Sequence, residues 1–178
     1  QKYDEKLKRA VFPVLTSGHY LHETAGAVLA LIELKAFGKS YAGKTIENAQ
    51  ILARELYSKG FKILYKGNGF TTSHMILLDC TNLGGGSLVE SKLESMNIIV
   101  NRNILPGQKE NFRNPKGVRV GTQEVTHIGM GEQDMVDISI FFDRILNKKE
   151  TADKLRSEIS CFRSRFREVK YCFDNLLF

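Results

Sequence analysis

The apolar period of this chain changes at Gly60. Before it, apolar residues recur at spacings of three and four, which is the period of a helix; after it come short apolar runs separated by turn residues, which is the signature of strands. A chain with both patterns must lay helices against a sheet. Over 21–37 the helical stripe is Leu21, Ala25, Val28, Leu29 and Ile32, with Gly38 placed to end it. Over 43–59 it is Ile46, Ala49, Ala53 and Leu56, closed by Gly60. The small residues Ala25, Gly26, Ala27 and Ala30 imply close packing of the first of these helices. Residues 1–10 also read as a helix, halted before Phe12-Pro13 because the residue preceding a proline avoids the helical region.

Beyond Gly60, strands are expected over 61–65, 74–80, 97–101 and 117–121, with Gly67-Asn68-Gly69 as a turn. Helices are expected over 87–96 and 131–147. A tail helix carries Leu155, Ile159, Phe162, Phe166 and Val169. No strict strand–helix–strand rhythm runs through the chain. The expected class is therefore α+β, with helices packed on a small, mostly antiparallel sheet.

Composition narrows the function classes. A chain of 178 residues buries enough surface to fold without staples, and its three cysteines (Cys80, Cys161, Cys172) form no CxxC pair, so they read as reduced thiols. No apolar run approaches the length of a membrane helix, and the charged first twenty residues hold no signal-peptide core, which places the protein in the cytoplasm. The net charge is +6, of which residues 143–170 carry +4, from nine bases and five acids. Arg156, Arg163, Arg167 and Lys170 are spaced to share one face of the tail helix. Bases confined to one terminal segment fit a solvated face better than a nucleic-acid reader.

Four groups of residues invite a chemical reading. Gly84-Gly85-Gly86 lacks the Gly-Lys-Ser/Thr ending of a phosphate loop and reads as a flexible link into a helix, with Ser87 as its N-cap. His19 and His22 are two ligands at most and do not close a metal site. In Gly117-Val118-Arg119-Val120-Gly121, alternation sets Val118 and Val120 on one face and Arg119 on the other, with glycines leaving room around the guanidinium. Such an arginine is either a bidentate clamp for a carboxylate or an ordinary exposed strand residue. Asn101 and Asn103 are either donors and acceptors for a heterocycle or turn caps.

Taken together, certain strings resemble serine hydroxymethyltransferase, a fold-type I enzyme that uses pyridoxal phosphate. They are Ala10-Val11-Phe12-Pro13, Leu15-Thr16-Ser17-Gly18-His19-Tyr20-Leu21-His22, the Asn101/Asn103 pair, Gly117-Val118-Arg119-Val120-Gly121-Thr122-Gln123-Glu124-Val125-Thr126 and Gly129-Met130. The resemblance is strongest to the archaeal branch, which can use a modified pterin in place of tetrahydrofolate.

The resemblance implies that the chain is the C-terminal portion of such an enzyme. Residues 1–42 would end the large cofactor domain and include a connecting helix, and 43–178 would form the small domain. It implies interconversion of serine and glycine with one-carbon transfer to a tetrahydrofolate or tetrahydromethanopterin-like carrier, in a homodimer. Arg119 would bind the substrate carboxylate. Ser17 and Gly18 would approach the partner's cofactor phosphate across the dimer. Asn103, Asn111, Phe112 and Arg113 would meet the pterin. The matching strings begin downstream of the family's Thr-x-x-His-Lys segment, so no lysine here corresponds to the one that holds the cofactor, and this chain alone would be inactive. A threonine aldolase or transaldolase, or a non-catalytic binding module built on the same half-fold, are the competing readings.

Overall fold

Alternation decides the sheet. In β2 (Met75–Asp79), Ile76 and Leu78 are buried; in β4 (Gly117–Gly121), Val118 and Val120 are buried while Arg119 is exposed. The two strands pair antiparallel with Ile76 opposite Val120 and Leu78 opposite Val118, so one face of the sheet is continuously apolar. A two-residue strand, β1 (Lys62–Ile63), adds to the outer edge of β2, and β3 (Asn101–Asn103) adds to β4. The order is β1-β2-β4-β3, and every neighbouring pair is antiparallel.

The computed structural model describes residues 2–16, 18, 20–109, 113–148, 150 and 152–173. Contacts divide the chain into two compact units, residues 1–36 and 37–178. In the second unit, four helices bring apolar side chains to the sheet's buried face. The C-terminal half of α2 (Leu21–Ser58) supplies Ala49, Leu52, Ala53 and Leu56, and α3 (Gly86–Glu94) supplies Val89 and Leu93. A five-residue helix, α4 (Gln123–His127), follows β4 directly. Then α5 (Glu132–Leu146) contributes Met135, Phe142 and Ile145, and α6 (Ala152–Ser164) contributes Leu155 and Ile159. Each fully buried aliphatic or aromatic side chain contributes about 1.5–3 kcal/mol. The start of α5 is set by the Asp134 carboxylate, which accepts the Gly131 N–H at 2.8 Å. The α+β class expected from the sequence is the observed one.

In the first unit, α1 (Asp4–Arg9) runs into a turn interrupted at Phe12, whose backbone is extended ahead of Pro13. The N-terminal part of α2 follows. Its apolar residues Val28, Leu31, Ile32 and Leu34 are half or more exposed. The close packing expected of Ala25, Gly26, Ala27 and Ala30 is not seen among the described residues: all four are exposed, and a Cβ built on Gly26 meets nothing within 4 Å.

Several boundaries differ from the sequence expectation. The two early helices are one 38-residue helix. Gly38 and Gly43 stay in it because a helical glycine, though it costs about 1 kcal/mol against alanine, keeps its N–H and continues the ladder. The buried stripe of α2 also includes Thr45 and Asn48, while Ile46 is only half-buried. The strand expected over 97–101 forms instead at Asn101–Asn103. There the pairing of Asn101 with Arg119 and Asn103 with Gly117 fixes the register, and Asn97 adopts φ +62 as the chain leaves α3. The first strand shrinks from 61–65 to two residues because Tyr65 turns left-handed, at φ +60. The tail helix ends at Ser164, so Arg167 and Lys170 do not share a helical face with Arg156 and Arg163.

Four of the nine bases of 143–170 (Arg144, Lys148, Arg165 and Lys170) form ion pairs among the described residues, Lys170 with Glu168. Arg144 bridges Glu150 and Glu158, Lys148 meets Asp143, and Arg165 lies within 3.9 Å of Asp134 and Asp137. Among the described residues no helix is long and apolar enough to cross a membrane.

Candidate active site

Strand alternation places Gly117, Arg119 and Gly121 on the face of β4 opposite the core. The glycines do not leave empty room, as the sequence had implied. A Cβ at Gly117 would lie 2.3 Å from the Leu105 side chain, and one at Gly121 would lie 2.5 Å from the Gln123 carboxamide oxygen. Each glycine is the space into which a neighbouring side chain folds, and Arg119 stands between the two. Its guanidinium is exposed, and no carboxylate pairs with it among the described residues.

Arg119 opens on a cavity of about 470 Å³. Asn101, His74, Gln123 and Glu124 supply polar groups to its wall, and Phe141 and Phe162 belong to its apolar side. An exposed arginine with no carboxylate partner among the described residues, on the wall of a largely apolar cavity, can take both oxygens of an organic anion in a bidentate pair.

The segment after Arg119 is held from below by a polar stripe on α2. Tyr41 Oη donates to the Gln123 carbonyl at 3.0 Å, and Thr122 Oγ1 donates to the Thr45 carbonyl at 2.9 Å. Asn48, fully buried, donates from Nδ2 to Thr126 Oγ1 at 2.9 Å and to the Met130 carbonyl at 3.0 Å. Burial, and then the nearby Glu124 carboxylate, push the Tyr41 phenol above its ordinary value, so it remains a donor at neutral pH. Tyr41 is further fixed between the rings of His127 and Tyr171. Sequence reading passed over Tyr41, Thr45, Asn48 and Gln123. The signal was there for the first three, since polar residues at i, i+4 and i+7 on an otherwise apolar helix need buried partners.

The other expected site residues fall in different places. Asn103 lies on β3 beside a second cavity of about 330 Å³, with Arg102, Ile104 and Pro115, and its Nδ2 donates to the Ile104 carbonyl at 2.7 Å. The structure does not bring it to the Arg119 cavity. Arg113 is exposed, and its carbonyl accepts the Ser87 hydroxyl at 3.2 Å. Ser87 therefore does not cap α3; Gly85 stands at that position. The glycine triplet is tightly packed rather than loose. A Cβ at Gly85 would lie 2.8 Å from Asn114 Oδ1, and one at Gly86 would lie 2.2 Å from the Gly117 carbonyl. Gly18 is in open space, with nothing within 4 Å of a Cβ built there. Ser17, Asn111 and Phe112 lie outside the described residues. Cys80 is buried, and burial together with the Asp79 carboxylate pushes its thiol up to about 12, which rules it out as a nucleophile.

Comparison with known proteins identifies the family. The sequence model of the family described as serine hydroxymethyltransferase matches residues 1–142. A serine hydroxymethyltransferase from Methanocella arvoryzae is 42% identical over 175 residues, covering 98% of this chain and 41% of the relative. One from Archaeoglobus fulgidus is 44% identical over 171 residues, covering 96% and 39%. The chain thus spans about two-fifths of the length of the curated relatives it matches. Among solved structures, L-threonine transaldolase from Pseudomonas fluorescens superimposes with a TM-score of 0.83 at 27% identity, covering 94% of this chain and 38% of that one. Matches of this extent to archaeal enzymes, with the Arg119 strand inside the matched region, place the chain in the serine hydroxymethyltransferase family.

Proposed function

We propose that this chain is the C-terminal portion of a pyridoxal-phosphate enzyme that interconverts serine and glycine and passes a one-carbon unit to a tetrahydropterin. In this reading residues 1–42 end the large domain and 43–178 form the small domain. The carrying observation is Arg119, a cation without an ion-pair partner among the described residues, on a strand face beside a mostly apolar cavity. Its guanidinium binds both oxygens of the amino acid's carboxylate, which stops rotation about the α-carbon and fixes which bond is presented for cleavage. Pyridoxal phosphate, when bound, supplies the electron sink for that cleavage. Gly18, with an open backbone, fits a role at the cofactor phosphate of a partner subunit, next to Ser17. The Nδ2 of Asn103 donates to the Ile104 carbonyl, which leaves its oxygen as an acceptor for an N–H of the pterin, and Asn111, Phe112 and Arg113 are further pterin-binding residues in this reading.

The exposed apolar residues of the first unit, among them Leu21, Leu31 and Leu34, support burial against the rest of the enzyme or its dimer mate. The likeness to a threonine transaldolase supports a second reading, a threonine aldolase or transaldolase in which the Arg119 clamp is retained and the pterin loop is not needed. The full-length protein, given serine with and without a tetrahydropterin, separates the two. Glycine formation is expected to depend on the pterin, with this 178-residue chain as an inactive control. Equal glycine formation without pterin, or faster turnover of threonine with an aldehyde acceptor, would replace the first reading with the second.

A further inference from the structure

We propose that Gln123 is the second donor of the Arg119 site, its side-chain N–H meeting the same carboxylate. The inference rests on the reading of Arg119 given above and extends it to Gln123, to which sequence reading gave no role.

Position comes first. Gly121 follows Arg119 by one side-chain period on the same strand face, and the Gln123 carboxamide fills the space that a side chain at 121 would occupy. Its oxygen lies 2.5 Å from the Cβ position, and its carbon and nitrogen lie 3.3 Å from it. Gln123, the first residue of α4, therefore sets its carboxamide at the Gly121 position, one side-chain period along the strand face from Arg119, and lines the same cavity.

Orientation comes second. The Gln123 Oε1 is buried and accepts no hydrogen bond from any described residue. The oxygen is the carboxamide atom turned against Gly121, with Nε2 farther from that position at 3.3 Å, and because the side chain lines the cavity its amide donor is the group available to a ligand there. The backbone beneath is fixed by the Tyr41 hydroxyl on the Gln123 carbonyl and by Thr122 on α2, so the side chain needs little ordering to act.

The chemistry matches an anion with two acceptor oxygens. A carboxylate has about four lone-pair sites, of which a bidentate arginine takes two. A neutral amide N–H adds a further hydrogen bond without adding charge. A ligand that ends in a carboxamide presents its own N–H₂ to this donor pair and loses a contact.

The test measures glycine and glycinamide binding to the full-length holoenzyme by calorimetry, so that each variant reports on the ligand's carboxylate rather than on the fold. In Gln123→Leu, glycine affinity is expected to fall roughly tenfold, the scale of one charge-assisted hydrogen bond, while glycinamide affinity stays within about twofold. In Gln123→Glu the preference reverses, glycine losing far more than glycinamide. Equal weakening of both ligands, or of neither, overturns the proposal. Should Gln123→Leu fold poorly, Gln123→Met keeps the length of the side chain and serves in its place. Arg119→Ala separates this proposal from the reading beneath it. If that variant keeps normal glycine affinity, the clamp itself is wrong; if it loses glycine while Gln123→Leu does not, only the role of Gln123 falls.

Discussion

Alanine in place of Arg119 in the full-length protein is expected to remove serine turnover while leaving the fold intact. Two charge-assisted hydrogen bonds are lost, each of about 1.5–3 kcal/mol, which together lower kcat/KM roughly 100- to 10,000-fold. The fold should not notice. The guanidinium has no ion-pair partner among the described residues, and the buried faces of β4 belong to Val118 and Val120. Arg119→Lys keeps the charge but loses the planar fork, so it should recover only part of the rate. Steady-state kinetics with a melting curve on the same samples decides the matter. Serine turnover near wild type in Arg119→Ala removes the arginine from the mechanism.

The largest effect on stability is expected from Gly86→Ala. The new Cβ would fall 2.2 Å from the Gly117 carbonyl oxygen and 2.8 Å from that of Pro115, and both obstacles are backbone. No rotamer relieves the clash. Either α3 moves off its Gly86 N–H···O=C Pro115 bond of 2.7 Å, or the start of β4 moves. Overpacking against a fixed backbone costs about 3 kcal/mol or more, which lowers the melting temperature of a domain of this size by roughly 10 °C. Gly43→Ala is the matched control. It sits inside α2 with nothing within 4 Å, so there the same added methyl stabilises by about 0.5–1 kcal/mol. A Gly86→Ala melting point within about 2 °C of wild type would mean that α3 and β4 are not locked as described.

What the sequence disclosed follows the range of the interactions involved. The limits of β4 were legible because Gly117 and Gly121 bracket a strict alternation, and a strand buried on one face leaves that mark locally. Arg119 was legible for the same reason. The position of β3 was not, because the β-branched residues Ile98, Ile99 and Val100 favour a strand over 97–101, whereas Asn101–Asn103 carries no such local mark and is selected by pairing with β4. The union of two helices into α2 was hidden by Gly38, a residue that permits a stop without requiring one. Gln123 was invisible because its role depends on an absence two residues earlier, the missing side chain of Gly121. The triplet Gly84-Gly85-Gly86 was read as freedom of the chain. At Gly85 and Gly86 it marks crowding by Asn114 and Gly117, residues about thirty positions away.

The buried thiol of Cys80 has a practical consequence. It lies at the junction of β2 and α3, accepts no solvent, and hydrogen-bonds to the Leu78 carbonyl. A thiol-directed reagent reaches it only when that junction opens, and it then meets a group freed from the burial that holds it protonated. Cys161, by contrast, is on an exposed part of α6. The chain therefore carries its own paired reporter. The slow phase of alkylation, assigned to Cys80 by peptide mapping, times the opening of the sheet that holds Arg119, while the fast phase at Cys161 calibrates the reagent.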